Sequence, residues 1–205
     1  MALRKDAQRN RERLVDAARA VFAERGLDVA LDDVARRAGV SIGTLYNRFP
    51  TRADLVQAVF ADRAGTVVSI CDHALALDEP WDGFVHFVEQ VCRMQAADRG
   101  YNDLSARSIP QAAPTPAHAR GYELMTEVID RARRSGALRE DFALSDMAFV
   151  TWAITRTIAA TADESPEAWR RHLGFILDGL RAPAAHPLPV PALEPEQVAR
   201  IMRDC

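Results

Sequence analysis

A chain of 205 residues, 48% hydrophobic and 27% charged, can bury a core in one or two domains without disulfide bonds. Cys71, Cys92 and Cys205 are too scattered for a zinc ribbon or a CxxC redox pair, no apolar run reaches the ~20 residues of a membrane span, and a charged N-terminus (Arg4, Lys5, Asp6, Arg9) lacks a signal-peptide core, so a cytoplasmic setting without membrane contact is expected. The net charge of −3 excludes a uniformly basic nucleic-acid binder, but residues 1–55 carry eleven basic and eight acidic side chains (+3) against fifteen and twenty-one (−6) beyond, as suits a small phosphate-facing unit joined to a larger one.

Apolar residues recur at helical spacing almost throughout, and alternating β-branched runs are missing, which predicts an all-α fold. The first helix is predicted over residues 6–25, with Leu14, Ala17, Ala18, Val21 and Phe22 on one face and Gly26 ending it. Two short helices follow, 31–38 and a second from Ser41 to about Phe49, joined by Gly39 and Val40. Thr51 caps a long helix from Arg52 whose apolar stripe is Leu55, Val56, Val59 and Phe60. Further helices are expected near 81–97, 116–135, 145–162 and 165–181. Three prolines make 108–116 a loop or broken helix. Five more make 183–195 extended or disordered, ahead of a short helix over 196–203 that forms on docking.

Residues 34–49 have the parts of a helix-turn-helix. Ala35 is small where two helices cross, Gly39 permits a left-handed turn, Val40 plugs the core and Ser41 caps the second helix. Leu45 and Phe49, four apart, face inward. That leaves Ile42, Gly43, Thr44, Tyr46, Asn47 and Arg48 to face outward or sideways, an unusual set for a helix surrounded only by water. A DNA major groove fits their chemistry: Gly43 allows close approach, Ile42 can meet a thymine methyl, Asn47 a base edge or a phosphate, and Thr44, Tyr46 and Arg48 phosphate oxygens.

The run from Arg13 to Leu55 resembles the DNA-binding domain of the TetR family of bacterial transcriptional repressors. The resemblance rests on Ala17, Ala18, Phe22 and Gly26, then Val34, Ala35, Ala38, Gly39, Val40, Ser41, Gly43, Thr44, Leu45 and Tyr46, then Phe49, Arg52 and Leu55, all in register. It implies a homodimeric repressor that binds a pseudo-palindromic double-stranded operator and is released by a small-molecule effector, with helix four linking pocket to head. The implied domains are a helix-turn-helix unit at 1–53, an effector-binding and dimerisation unit at 54–182 and a proline-rich tail at 183–205. The DNA-binding set carried over is Arg36, Ser41, Ile42, Gly43, Thr44, Tyr46, Asn47, Arg48 and Arg52. Four departures matter: Val29 and Ala30 stand where a capping, phosphate-touching hydroxyl is frequent, Asp32 and Asp33 suit the helix N-terminus but would be repelled by nearby phosphate, Ile42 stands where Lys is frequent, and Arg52 replaces a common Lys while keeping the charge to reach a phosphate.

Beyond residue 55 the resemblance implies an interface made by the last two long helices. Met147, Val150, Ile154 and Ile158 form one apolar stripe and Leu173, Ile176, Leu177 and Leu180 another, which can pair with their copies as a four-helix bundle or serve an ordinary core. Phe84, Phe87, Val88, Val91, Met125, Trp152 and Arg156 are the residues expected to line a pocket for an apolar or aromatic ligand. Catalytic residues, a metal site and a cofactor are not expected: no nucleophile–base pair or phosphate-cradling loop stands out, and the five histidines are scattered. Cys71 and Cys92 are read as buried thiols rather than a redox pair.

Overall fold

The computed structural model describes the backbone of residues 2–106 and 115–204, with side chains over 8–105 and 115–201. Helix α1 (Ala2–Arg25) buries Leu14, Ala18, Val21 and Phe22 along one face and stops at Gly26, whose φ of 78° is left-handed and whose N–H donates to Phe22 O at 2.8 Å. Helices α2 (Leu31–Ala38) and α3 (Ile42–Arg48) follow, then α4 (Arg52–Phe60), which turns Leu55, Val56, Val59 and Phe60 onto α1. These four helices share one apolar core, the head. A second cluster, the body, is built by α5 (Arg63–Ala76), α6 (Pro80–Ala97), α8 (Pro116–Arg134), α9 (Met147–Thr161) and α10 (Ala168–Leu180). Among the described residues no helix is long and apolar enough to cross a membrane.

The all-helical expectation holds, with local corrections. The long helix predicted from Arg52 breaks at Ala61 and Asp62. There the chain passes from one core to the other, and Arg63 is drawn aside by Asp98 (2.6 Å) and the rings of Phe60 and Tyr101. An unforeseen helix, α7 (Arg99–Ala106), follows α6; it is capped by Asp98, whose Oδ1 accepts the Tyr101 N–H at 3.0 Å. Its Gly100, a poor helix former, hides it in the sequence. The last two body helices start at Met147 and Ala168 rather than 145 and 165, because 144–146 form a 3-10 turn and 165–168 a tight turn. The proline-rich stretch after a 3-10 turn at Ala182–Ala184 has no regular structure, and the final helix, α11, runs from Pro195 to Asp204. Most of the expected proline-rich loop, 108–114, lies outside the described residues; Thr115 then caps α8 through His118 N at 3.3 Å.

Candidate nucleic-acid interface and cavity

The turn between α2 and α3 is set by local chemistry. Gly39 closes α2 at φ 69°, with its N–H on Arg36 O (3.1 Å) and the next N–H, of Val40, on Ala35 O (3.0 Å). Ser41 Oγ then accepts the Thr44 N–H at 3.2 Å and lies 2.9 Å from Thr44 Oγ1, starting α3. Leu45 is wholly buried and Phe49 nearly so, which pins the inner face. The outer face presents Tyr46, 49% exposed, beside exposed Gly43, Asn47 and Arg48. Among the described residues neither Asn47 nor Arg48 has a side-chain hydrogen bond or ion pair.

Gly43 has no folding reason to be glycine. A Cβ there would meet nothing nearer than Ser41 Oγ at 3.9 Å, while glycine inside a helix costs about 0.5–1 kcal/mol relative to alanine. Gly43→Ala is therefore expected to raise the thermal midpoint by about 1–4 °C, read by circular dichroism, while lowering DNA affinity about tenfold in an anisotropy titration. Unchanged DNA affinity would show that no partner approaches this backbone.

Other residues of the expected set are engaged within the head. Arg52, expected to reach a phosphate, instead donates through Nη1 to the carbonyls of Leu27 (2.6 Å) and Val29 (2.9 Å) and closes the loop between α1 and α2. Arg36 pairs with Asp33, which also holds Arg25 at 2.9 Å; bonds from Arg25 and then Arg36 keep the Asp33 carboxyl below the usual range. Thus Asp33 is neutralised rather than left to repel phosphate. Ile42 is half-buried against the head core, so only its outer edge can face a groove. Ala30 occupies the cap of α2 without a side-chain bond, as expected from the missing hydroxyl.

The body contains a cavity of about 400 Å³ between α5, α6, α7, α8, α9 and the start of α11. Of the seven residues expected to line it, Phe87, Val91, Met125 and Trp152 come together on its wall. Phe84 and Val88 do not: they belong to the neighbouring apolar row of α6 and are wholly buried in the body core. Arg156 is exposed, one turn beyond Trp152 and outside the lining. Tyr101 and Tyr122, aromatic residues the sequence also offers as apolar lining, are on the wall; His118, Thr151, Pro195 and Val198 were not foreseen, because the N-terminus of α8 and the tail are brought here by tertiary packing. No lysine, arginine, aspartate or glutamate occurs among the described lining residues. Burial raises the pKa of the Tyr101 hydroxyl, so it stays neutral. One helical turn past Val91 and Thr151 lie Gln95 and Thr155, buried with Asn102; Gln95 Oε1, Asn102 Oδ1 and Thr155 Oγ1 have no hydrogen-bond partner among the described residues.

Helix α7 touches cavity and head at once. Tyr101 lines the cavity and sits 6.0 Å, ring to ring, from Phe60 of the head. Asp103 Oδ2 accepts the Leu27 N–H at 2.8 Å, and Gly100 lies flat against Phe22 of α1. Asn102 Nδ2 donates to Thr155 O of α9 at 3.3 Å.

The stripes expected to pair with a second copy fall partly inside the protomer. Met147, Val150, Ile154, Ile158 and Leu173 are buried in the body core, with Met147 also on the cavity wall; Ile176, Leu177 and Leu180 are half-buried. What α9 and α10 leave outside is Phe149, 48% exposed, and Phe175, 61% exposed. Cys71 and Cys92 are buried, and burial pushes both thiols up to about 12, far from the thiolate needed for redox chemistry at neutral pH.

Residues 14–59 match the family model for bacterial regulatory proteins of the tetR family, and residues 79–182 match that for the C-terminal domain of SbtR-like transcriptional regulators. The HTH-type transcriptional regulator SrpR of Pseudomonas putida is 35% identical over 81 residues, 39% of this chain and 38% of that protein. The match to TtgW, an uncharacterised HTH-type transcriptional regulator of the same species, covers 60% of its length, so the chain spans less than two thirds of the curated relatives it matches first. Among solved structures, the TetR transcriptional regulator SCO0520 of Streptomyces coelicolor is 28% identical at a TM-score of 0.54, covering 83% of this chain and 98% of that one. The regulator FadR of Bacillus subtilis, in complex with stearoyl-CoA, shares the fold at a TM-score of 0.60 and 18% identity, covering 85% and 99%.

Proposed function

Because this chain belongs to the TetR family of helix-turn-helix transcriptional regulators, we propose that it is a homodimeric repressor that reads a pseudo-palindromic operator through α3 and is released by a small, neutral, apolar or aromatic ligand in the body cavity. The observation that carries this reading is the outer face of α3, unpartnered among the described residues, with Tyr46, Asn47 and Arg48 around a bare Gly43, in a chain whose cavity residue Tyr101 rides on the helix that grips the head. Asn47 contacts a base edge or a phosphate, while Arg48 and Tyr46 contact phosphate and fix register.

Ligand class follows from the wall. Stearoyl-CoA is the ligand of the Bacillus protein, and its phosphates need cations. The described lining here offers hydroxyls and one histidine but no lysine or arginine, which favours an uncharged molecule. The dimer is held by the outward faces of α9 and α10, which carry the exposed aromatics Phe149 and Phe175, because burying exposed apolar surface stabilises association. A ligand acts only through unequal affinity for the two head arrangements. Entering the cavity, it displaces Tyr101, shifts α7 and thereby moves α1 through Phe22 and Leu27.

The decisive experiment is selection of bound sequences from random DNA by the purified protein, repeated with uncharged aromatic ligands. The expected product is an inverted repeat with half-sites about one or more helical turns apart, lost on adding an effective ligand. Enrichment of no sequence would overturn the operator reading.

A further inference from the structure

We propose that α11 is a hinged wall of the cavity, and that Pro195 and Val198 are ligand-contacting residues supplied by the C-terminal tail. The inference rests on the reading of the cavity as the effector site. Both family matches end at or before residue 182, so this wall lies outside the two units they describe.

The tail is anchored first and free later. Ala182 N–H donates to Ala137 O at 3.0 Å, Arg139 N–H to Leu180 O at 3.0 Å and Arg139 Nη2 to His186 O at 2.8 Å, while the Arg181 guanidinium lies 4.4 Å over the Trp81 ring. Residues 181–186 are thereby clamped to the body. Pro187, Pro189 and Pro191 then lack N–H donors, and the chain carries no regular structure as it bends at Pro189 and Val190 past Phe149. The chain arrives at the cavity mouth, where Glu194 N–H donates to Gln197 Oε1 at 2.8 Å and α11 begins.

Among the described residues, α11 makes no hydrogen bond or ion pair with the rest of the fold. What it contributes is apolar: half-buried Val198 lines the cavity across from α8 and α9, with Pro195 exposed at its rim, while Glu196, Gln197 and Arg200 face water. A helix of ten residues is marginal by itself in water, so α11 depends on the apolar surface it covers. Lifting it from the fixed point at His186 opens the cavity, and a neutral ligand inside gives Val198 the contact that holds it shut. A polar wall would lack this response. The same geometry makes the side chain at 198 a specificity determinant, since its volume sets the space left in the cavity.

Two variants test this in the full dimer: a chain ended after Ala192, and Val198→Asp at full length, with Glu196→Gln as a control on the exposed face. Trp81 and Trp169 are buried and Trp152 lines the cavity, so acrylamide quenching of tryptophan emission reads cavity access without any ligand. Quenching is expected to at least double in both variants and to stay unchanged in the control. The uncharged probe N-phenyl-1-naphthylamine is expected to leave both variants about tenfold faster than the intact protein, the loss of about one apolar side-chain contact. Unchanged quenching together with unchanged probe release overturns the hinged wall. If quenching rises but the probe binds neither variant nor the intact protein, the wall stands and the assignment of Pro195 and Val198 as ligand contacts falls with the effector reading. Circular dichroism melts coinciding with the parent confirm that the body remains folded.

Discussion

Replacing Tyr46 and Arg48 together by alanine is expected to lower operator affinity about 100-fold, because in the proposed complex each supplies one hydrogen bond to a phosphate, worth about tenfold when one partner is charged. Both side chains are exposed and Arg48 has no ion-pair partner among the described residues, so the thermal midpoint should move by no more than about 1 °C. The single variants separate roles. Arg48→Ala should reduce the slope of log affinity against log salt by about one, whereas Tyr46→Phe, which keeps the ring, should lose affinity without changing that slope. By contrast, Arg52→Ala should act mainly on stability, since its guanidinium bonds the Leu27 and Val29 carbonyls. Equal binding by parent and double variant in a gel-shift assay would remove α3 from the operator.

The helix-turn-helix was legible because its determinants are local: Gly39 must adopt a left-handed φ, Ser41 caps the helix it precedes, and Leu45 and Phe49 stack four residues apart. Arg52 could not be assigned in the same way, because the carbonyls it meets lie 23 and 25 residues away. The cavity repeats the lesson. On α6 the pairs Phe84 with Val88 and Phe87 with Val91 are adjacent rows of equal hydrophobicity, and only the neighbours of α6 decide which row meets solid core and which meets the cavity. The stripe of Met147, Val150, Ile154 and Ile158 has the spacing of an interface and equally that of a core. The outward aromatics, Phe149 and Phe175, interrupt the pattern that a periodicity argument follows.

Gly100→Ala should uncouple the head from the body. A methyl at this position would stand 2.7 Å from Phe22 Cβ and 3.0 Å from Phe22 O, and neither atom can rotate away, so α7 and α1 must separate. Overpacking of this kind costs about 1–3 kcal/mol, and the strain is released by the movement assigned to ligand binding. Without ligand the variant is therefore expected to bind operator at least about tenfold more weakly than the parent, with little further loss when ligand is added. Asp103→Ala removes the second tether, the bond to the Leu27 N–H, without adding bulk, and should shift the same equilibrium to a smaller extent. Anisotropy titrations with and without ligand, run beside thermal melts, distinguish this from simple damage. A lowered melting temperature with operator affinity and ligand response intact would place the coupling elsewhere, and the break in the helical run at Ala61 and Asp62, between α4 and α5, would become the element through which the head is moved.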